Sequence, residues 1–265
     1  MKIEFHYTYL LVALSFILTG YFSNLLVFTS IILIHELGHY LTARLLHLPS
    51  EKIIIYPYGG ITKLNIPINT KINKELLVAI SGLIFQSIYY LIIIYMYKQN
   101  LIREYIYQEF NTYHYSIFFF NILPIYPLDG SKIINLILSK FLPYKLSNKL
   151  NIYLSIISLI ILLIINYYNF NYTTILIISV ILSNIYKYYQ ELDYLFNKFL
   201  LERYLHHYTY KSTKNINKID YMYKEKYHLI KDKNHYLTEK QALNHRFHHK
   251  YSKNIWLKPY NMLKL

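Results

Sequence analysis

The chain has 265 residues, of which 54% are hydrophobic, yet it carries 28 Lys and Arg against only 14 Asp and Glu. This apolar composition, with 33 Tyr and 14 Phe, argues against an ordinary soluble globular protein. The absence of cysteine excludes a disulfide scaffold, a thiolate zinc site and a cysteine nucleophile.

The apolar residues fall into six blocks, and a membrane-spanning helix needs about 20 such residues. The sequence therefore predicts an all-α polytopic membrane protein with about six transmembrane helices. The first block has no small-residue cleavage site, so we expect a span there and not a removable signal peptide. The blocks are Tyr7–Phe22, Ser23–Ile34, Leu76–Tyr97, Tyr105–Pro127, Leu150–Tyr168 and Tyr172–Tyr186.

The basic residues of the predicted loops indicate an orientation in the lipid bilayer. With the N-terminus inside, the inner loops of residues 1–190 collect 11 Lys and Arg, whereas the outer loops carry two, Lys98 and Arg103. Short cytoplasmic loops are enriched in Lys and Arg. We therefore expect an integral protein of the bacterial cell membrane with cytoplasmic N- and C-termini.

The second block runs into the sequence HELGH, which contains His35, Glu36 and His39. On a helix, residues four apart share a face, so both imidazoles can bind one zinc ion. Glu36 is then placed as the catalytic general base that takes a proton from the attacking water. Ionisable groups within a membrane span are candidate functional residues. The alternative is a helix end at which the histidines reach interfacial water.

A catalytic zinc usually has a third protein ligand, and Asp129 is the candidate because it is the only aspartate in residues 1–190. It follows Pro124 and Pro127, which end the helix and expose backbone groups that are tolerated at membrane depth only inside protein or beside a wet cavity. Asp129 could also cap the following helix, and the two roles are compatible. Upstream, the amide of Asn121 could hold a substrate strand or a developing oxyanion.

These two motifs, HELGH and NILPIYPLDG, together resemble the site-2 protease family of intramembrane zinc metalloproteases, peptidase family M50, and in particular its bacterial sporulation branch. The resemblance covers residues 1–190. It implies one zinc ion per chain, bound by His35, His39 and Asp129, with Glu36 as base. It also implies substrate contacts at Asn121 and Pro127.

The implied reaction is hydrolysis of a peptide bond in or next to the membrane, that is, regulated intramembrane proteolysis. Candidate partners are a membrane-associated or membrane-spanning protein substrate, such as a pro-sigma factor, together with regulatory membrane proteins and a second copy of the chain. A metal-binding carrier or an inactive protease-like scaffold is the alternative function. The intact Glu36 argues against it, because a carrier needs ligands but no general base.

Between spans 2 and 3, Ile53–Asn65 predicts a β-hairpin that turns at Tyr58, Gly59 and Gly60. It resembles the family's membrane-associated hairpin, which implies a substrate-binding role for Gly59 and Gly60 through strand addition. A purely structural turn is the alternative. In span 3, Gly82 is expected to let that helix pack closely on the metal-bearing helix.

Two polar side chains of the spans receive no firm role. The family commonly has Asn near Gln86, which leaves a polar role for Gln86 in doubt. His114 either lines a water-filled channel or is a buried, hydrogen-bonded histidine.

Residues 191–265 have a different character, with 15 Lys and Arg, 7 Asp and Glu, and neither Gly nor Val. We predict a second domain here: a basic, Tyr-rich, helical cytoplasmic tail whose first part, Glu191–Tyr210, extends the last span. The sporulation branch often ends in a cystathionine-β-synthase-type domain, but that domain is rich in Val and Gly, so neither it nor ATP regulation is expected. The tail could contact anionic lipid headgroups. Nucleic-acid binding is not expected, because no recognised motif supports it.

Overall fold

The computed structural model describes residues 2–57, 59–165, 171–210, 212–232 and 235–251. Three sequence-based predictions reach beyond these residues. Tyr58 of the predicted hairpin turn, residues 166–168 of the fifth apolar block and residues 252–265 of the predicted tail all lie outside the described residues.

The first 64 residues of the protein combine two helices with a small sheet. Strand β1 runs parallel to β2, and β2 pairs antiparallel with β3, so the sheet order is β1-β2-β3. The hairpin predicted between the second and third spans is therefore present, and β3 is an edge strand of this sheet. The elements are β1 (Lys2–Phe5), α1 (Tyr7–Leu18), α2 (Phe22–Leu45), β2 (Ser50–Tyr56) and β3 (Gly59–Leu64).

Among the described residues, five further helices lie between the hairpin and the strands of the tail. The first, α3, packs extensively against α2. Helix α4 ends just before Pro124, whose ring cannot continue a helix, and α5 begins at Asp129. The helices are α3 (Ile72–Lys98), α4 (Glu104–Ile122), α5 (Asp129–Phe141), α6 (Tyr144–Ile165) and α7 (Tyr172–Leu205).

The protein is mainly helical, as the sequence predicted. Among the described residues, α2, α3 and α6 are long and apolar enough to cross a membrane by length and composition. Helix α1 is apolar but has only 12 residues.

Apolar side chains form a core between the helices that precede residue 206 and beneath the hairpin. Ile53 and Ile55 of β2 are fully buried and pack against Ile32 of α2 and Tyr9 of α1. The sheet is thus fixed to the same helix that carries HELGH. A separate cluster joins α6 to α7, with Ile125 of the α4–α5 connection buried in it.

The structure of the tail differs from the helical prediction. Helix α7 does continue to Leu205, but a three-stranded sheet follows, in which β4 is parallel to β5 and β5 is antiparallel to β6. These strands are short and form only by pairing with residues elsewhere in the tail, which a local helical pattern does not reveal. The elements are β4 (Thr213–Ile216), a 3-10 turn (Ile219–Tyr221), β5 (Tyr227–Asp232), β6 (His235–Thr238) and α8 (Glu239–Tyr251).

This C-terminal unit, residues 212–251, packs on the end of α7. Phe199 and Leu200 of α7 are fully buried against Met222 and Leu243. The Arg203 guanidinium, buried at the same end of α7, donates hydrogen bonds to Glu239 Oε1 at 2.9 Å and to the backbone of the unit. The unit is therefore an integral part of the fold.

The C-terminal unit also contacts the beginning of α3. Lys224 Nζ lies 2.7 Å from both carboxylate oxygens of Glu75, and both side chains are largely buried. Glu225 Oε1 accepts a hydrogen bond from the backbone N–H of Ile72, the first residue of α3. An acidic side chain at a helix N-terminus satisfies a free N–H and complements the helix dipole.

Candidate metal centre

Three polar side chains meet in the interior between α2 and α5. His35 and His39 are one turn apart on α2, and Asp129 opens α5. Asp129 Oδ2 lies 2.9 Å from His35 Nε2 and 3.0 Å from His39 Nε2, and the two Nε2 atoms are 3.1 Å apart. All three residues are buried. The structure thus brings together the two histidines and the distant aspartate singled out in the sequence.

The outer nitrogen of each histidine faces a hydrogen-bond acceptor. His35 Nδ1 is 3.1 Å from Gln86 Oε1, and His39 Nδ1 is 2.7 Å from the backbone oxygen of Val78. These acceptors favour the tautomer of each imidazole with the proton on Nδ1, which directs the Nε2 lone pair toward Asp129. Three lone-pair atoms that face one another repel unless a cation lies among them. This donor set fits a zinc ion, for which imidazole and carboxylate are usual ligands.

Helix α3 approaches the histidines so closely that only glycine is accommodated at one position. A Cβ atom on Gly82 would lie 2.4 Å from His39 Nε2 and 2.8 Å from His35 Nε2. This finding supports the sequence-based expectation that Gly82 permits close packing. The same helix supplies Val78 and Gln86, so α3 both covers the histidines and orients them.

The second oxygen of the aspartate has a different partner. Lys132 Nζ lies 2.8 Å from Asp129 Oδ1, one helical turn along α5. The lysine side chain is 54% exposed, whereas Asp129 is buried. The two oxygens are thus divided between the lysine and the histidines, which favours single-oxygen ligation of a metal by Oδ2.

Glu36 lies beside this centre and contacts the hairpin. It is buried, and Thr62 Oγ1 lies 2.6 Å from its Oε2 and 3.1 Å from its backbone oxygen. A Cβ atom on Gly60 would lie 2.3 Å from Glu36 Cγ. Strand β3 therefore lies directly against the glutamate side chain.

The other sequence-predicted site residues are placed as follows. The Asn121 amide donates a hydrogen bond to the backbone oxygen of Ile117 in its own helix, at 3.1 Å. Pro127 is exposed in the α4–α5 connection. Gly59 begins β3 with φ +150°, a conformation that L side chains rarely adopt. Of these four residues, Gly60 lies directly against Glu36.

Three site residues were not identified from the sequence. Thr62 and Lys132 carried no motif, and Gln86 was left without a firm role. Gln86 is fully buried and bridges two histidines: its Oε1 faces His35, and its Nε2 donates to the backbone oxygen of His114 at 3.1 Å. His114 is buried, with its ring stacked on Tyr90, as in the simpler of its two interpretations.

Two histidines in HExxH spacing, a glutamate beside them and a distant aspartate, enclosed by apolar helices, define a membrane zinc metalloprotease. The family model for Peptidase family M50 matches residues 23–117. Stage IV sporulation protein FB of Bacillus subtilis (strain 168) is 30% identical over 207 residues, covering 77% of this chain and 72% of the relative. The chain therefore belongs to peptidase family M50.

A sequence match and a structural match, both from Methanocaldococcus jannaschii, agree with this assignment. A zinc metalloprotease of Methanocaldococcus jannaschii is 29% identical over 163 residues, which cover 57% of this chain and 46% of that protein. The solved structure of the site-2 protease from Methanocaldococcus jannaschii matches with a TM-score of 0.56 and 22% identity, over 71% of this chain and 91% of that one. The protein thus shares the membrane-embedded site-2 protease fold.

Proposed function

We propose that this membrane zinc metalloprotease hydrolyses a peptide bond of a membrane protein substrate, with Glu36 as general base and His35, His39 and Asp129 as zinc ligands. The convergence of three lone-pair atoms within 3.1 Å, next to a buried glutamate, carries this proposal. One such group of three possible metal-binding side chains is found among the described residues. One zinc ion per chain follows.

When bound, zinc supplies Lewis-acid polarisation of the peptide carbonyl and lowers the pKa of a water molecule toward about 7. Glu36 accepts a proton from the attacking water while the water oxygen bonds to the carbonyl carbon. The same carboxyl then passes that proton to the leaving amine as the C–N bond breaks. Because Glu36 is buried, bulk water does not compete for this proton. The proton therefore moves from the attacking water to the Glu36 carboxylate and then to the nitrogen of the leaving amine.

We propose that the substrate lies extended along β3. A peptide bond within a helix is shielded by its own turns, and an edge strand can pair with an added strand through main-chain hydrogen bonds. Gly59 and Gly60 would then contact the substrate, and Asn121 and Pro127 would contact it from the α4–α5 side. The edge position of β3 in the described sheet supports this arrangement.

We also propose six membrane spans with both termini in the cytoplasm. The three described helices that meet the length and composition of a span support it in part, and the excess of Lys and Arg in the predicted inner loops supports the orientation. Residues 1–190 would form the protease domain. The unit after α7 would then lie on the cytoplasmic side.

A pro-sigma factor is the substrate class we propose to test first, because one relative is named for sporulation. The purified protein in lipid nanodiscs is incubated with a membrane-associated pro-sigma factor of its own host and with a panel of single-span membrane proteins. We expect cleavage of at least one substrate, its loss on zinc chelation and its return on addition of zinc. Cleavage that persists without zinc would contradict the mechanism. Cleavage of the panel without the pro-sigma factor would contradict only the substrate.

A further inference from the structure

Strand β3 makes two contacts with Glu36 from the same face. Gly60 and Thr62 are two residues apart in the strand, and side chains at that spacing point to the same side of a sheet. The glycine leaves space for the Glu36 methylene groups, and the threonine hydroxyl reaches the carboxylate.

The threonine contact is selective for one carboxylate oxygen. A hydroxyl group has a single proton, which is donated to the nearer acceptor, Glu36 Oε2 at 2.6 Å, with the Glu36 backbone oxygen at 3.1 Å as the second acceptor. Hydrogen bonds to an ionised acceptor are stronger than those between neutral groups. Oε2 is therefore held by the Thr62 hydroxyl, whereas Oε1 lies beside Gly60, where an added Cβ atom would be 2.9 Å away.

We propose that Thr62 is a positioning residue that orients the Glu36 carboxylate and couples it to the strand that receives the substrate. The inference rests on the proposed role of Glu36 as general base. Because β3 has one strand partner in the described sheet, a substrate strand added at its free edge stabilises the extended conformation of β3. Stabilising β3 holds Thr62, and Thr62 holds Glu36. Substrate docking thus orders the base.

This proposal predicts different effects of Thr62 on the rate of the chemical step and on substrate affinity. Thr62 acts through its hydroxyl group and not through contact with substrate, so its removal lowers the rate of the chemical step and leaves substrate affinity intact. Serine keeps the hydroxyl group and preserves the effect, whereas valine keeps the shape and removes it. This pair of replacements distinguishes positioning from packing.

The kinetic test compares Thr62→Val, Thr62→Ser and the control Thr112→Val in nanodiscs, on a substrate that the wild-type protein cleaves and the Glu36→Gln variant does not. Thr112 is exposed, and its hydroxyl bonds only within α4. General-base catalysis contributes about 10²–10⁴-fold, so loss of base orientation should lower kcat by about tenfold or more in Thr62→Val, with KM and zinc content unchanged. Thr62→Ser and Thr112→Val should keep kcat near the wild-type value.

Three kinetic results would overturn the inference while leaving the proposed function intact: a wild-type kcat in Thr62→Val, an equal loss in Thr62→Val and Thr62→Ser, or a change in KM alone. A second measurement does not depend on catalysis. Thr62→Val should lower the thermal unfolding temperature of the zinc-loaded protein in the Glu36 parent but not in a Glu36→Ala parent. An equal decrease in both parents would show that Thr62 acts independently of Glu36.

Discussion

At the scale of single residues, the histidines of the candidate metal centre are oriented by acceptors on their outer nitrogens. One acceptor is the backbone oxygen of Val78, which no substitution removes, and the other is the side chain of Gln86. Groups that bind the far nitrogen of a metal-ligating histidine fix its tautomer and ring orientation. Gln86 is thus the orienting group that mutation can test.

Replacement of Gln86 by leucine should weaken zinc binding by about 10–100-fold, the usual cost of losing such a partner. His35 would lose its acceptor and the backbone oxygen of His114 would lose a donor. Competition with a metal chelator measures the affinity. Ser87→Ala is the matched control, because the neighbouring Ser87 hydroxyl bonds only to Leu83 of its own helix. An affinity equal to that of the wild type would show that Gln86 does not orient the ligand.

The sequence predicted the metal-facing residues better than their supporting partners. His35 and His39 are recognisable because their spacing of four matches one helical turn, and Asp129 because no other aspartate was available in residues 1–190. Thr62 and Lys132 come from elements whose positions beside the site depend on tertiary packing. No local pattern marks such residues.

At the scale of the elements, α3 connects the metal centre to the C-terminal unit. Its first turn carries Glu75, paired with Lys224, and its next turns carry Val78, Gly82 and Gln86 beside the histidines. The first turn of α3 makes the ion pair, and the turns that follow it contact the two histidines. We therefore expect a displacement of its N-terminal end to reach His35 and His39.

Replacement of Lys224 by methionine should destabilise the protein, because Glu75 would remain buried without its partner. Breaking a buried ion pair from one side costs about 3–5 kcal/mol. We expect a clear decrease in thermal unfolding temperature in detergent micelles, and partial recovery in the double variant Lys224→Met with Glu75→Gln. Lys231→Met is the control at an exposed position. A decrease no larger than that of the control would show that the pair does not stabilise the fold.

The C-terminal unit should also lose stability in mild acid, through His228. Burial lowers the pKa of His228 below its ordinary value of 6.5. Its Nδ1 faces Glu239 Oε1 at 2.6 Å, its Nε2 accepts the backbone N–H of Tyr223 at 3.0 Å, and Arg203 is the nearby cation. The neutral ring fits this arrangement.

Below pH 6.5 the unfolded chain therefore binds a proton that the folded unit does not, and stability decreases as the pH falls toward the folded pKa. Hydrogen exchange of residues 212–232, corrected for intrinsic rates, should show less protection at pH 5.5 than at pH 7.5. His228→Asn should reduce this difference, whereas replacement of the exposed His245 should not. Equal protection at both pH values would contradict the assignment.

Some elements could be predicted from the sequence, and others could not. The long apolar helices and the hairpin follow from local patterns of hydrophobicity and turn residues. The sheet of the C-terminal unit does not, because β4 pairs with β5 across the 3-10 turn and an intervening loop. For the tail, the helical spacing of the apolar residues in Glu191–Tyr210 predicted a helix, and among the described residues this interpretation holds only for α7 and α8.

At the scale of the whole molecule, the apolar composition and the positive charge belong to different parts of the chain. The apolar residues form the membrane-length blocks, and 26 of the 28 Lys and Arg fall in the predicted inner segments of residues 1–190 or in residues 191–265. In the proposed topology, this charge bias reflects the orientation of the chain in the membrane.

This orientation can be tested by labelling, because the natural chain has no cysteine. A cysteine at Asn100, in the exposed α3–α4 connection, should react with a membrane-impermeant maleimide on intact cells. A cysteine at His207, exposed after α7, should react only after the membrane is opened. Reaction of both residues from the same side would contradict the six-span arrangement.

The central claim is that Glu36 acts as the general base of a zinc-dependent peptide hydrolysis. The most direct test measures zinc content and cleavage in the same preparation of the wild-type protein and of Glu36→Gln. We predict one zinc ion per chain in both proteins, with cleavage by the wild type and a loss of at least about 10²-fold in the variant. Cleavage by Glu36→Gln at the wild-type rate would contradict the account.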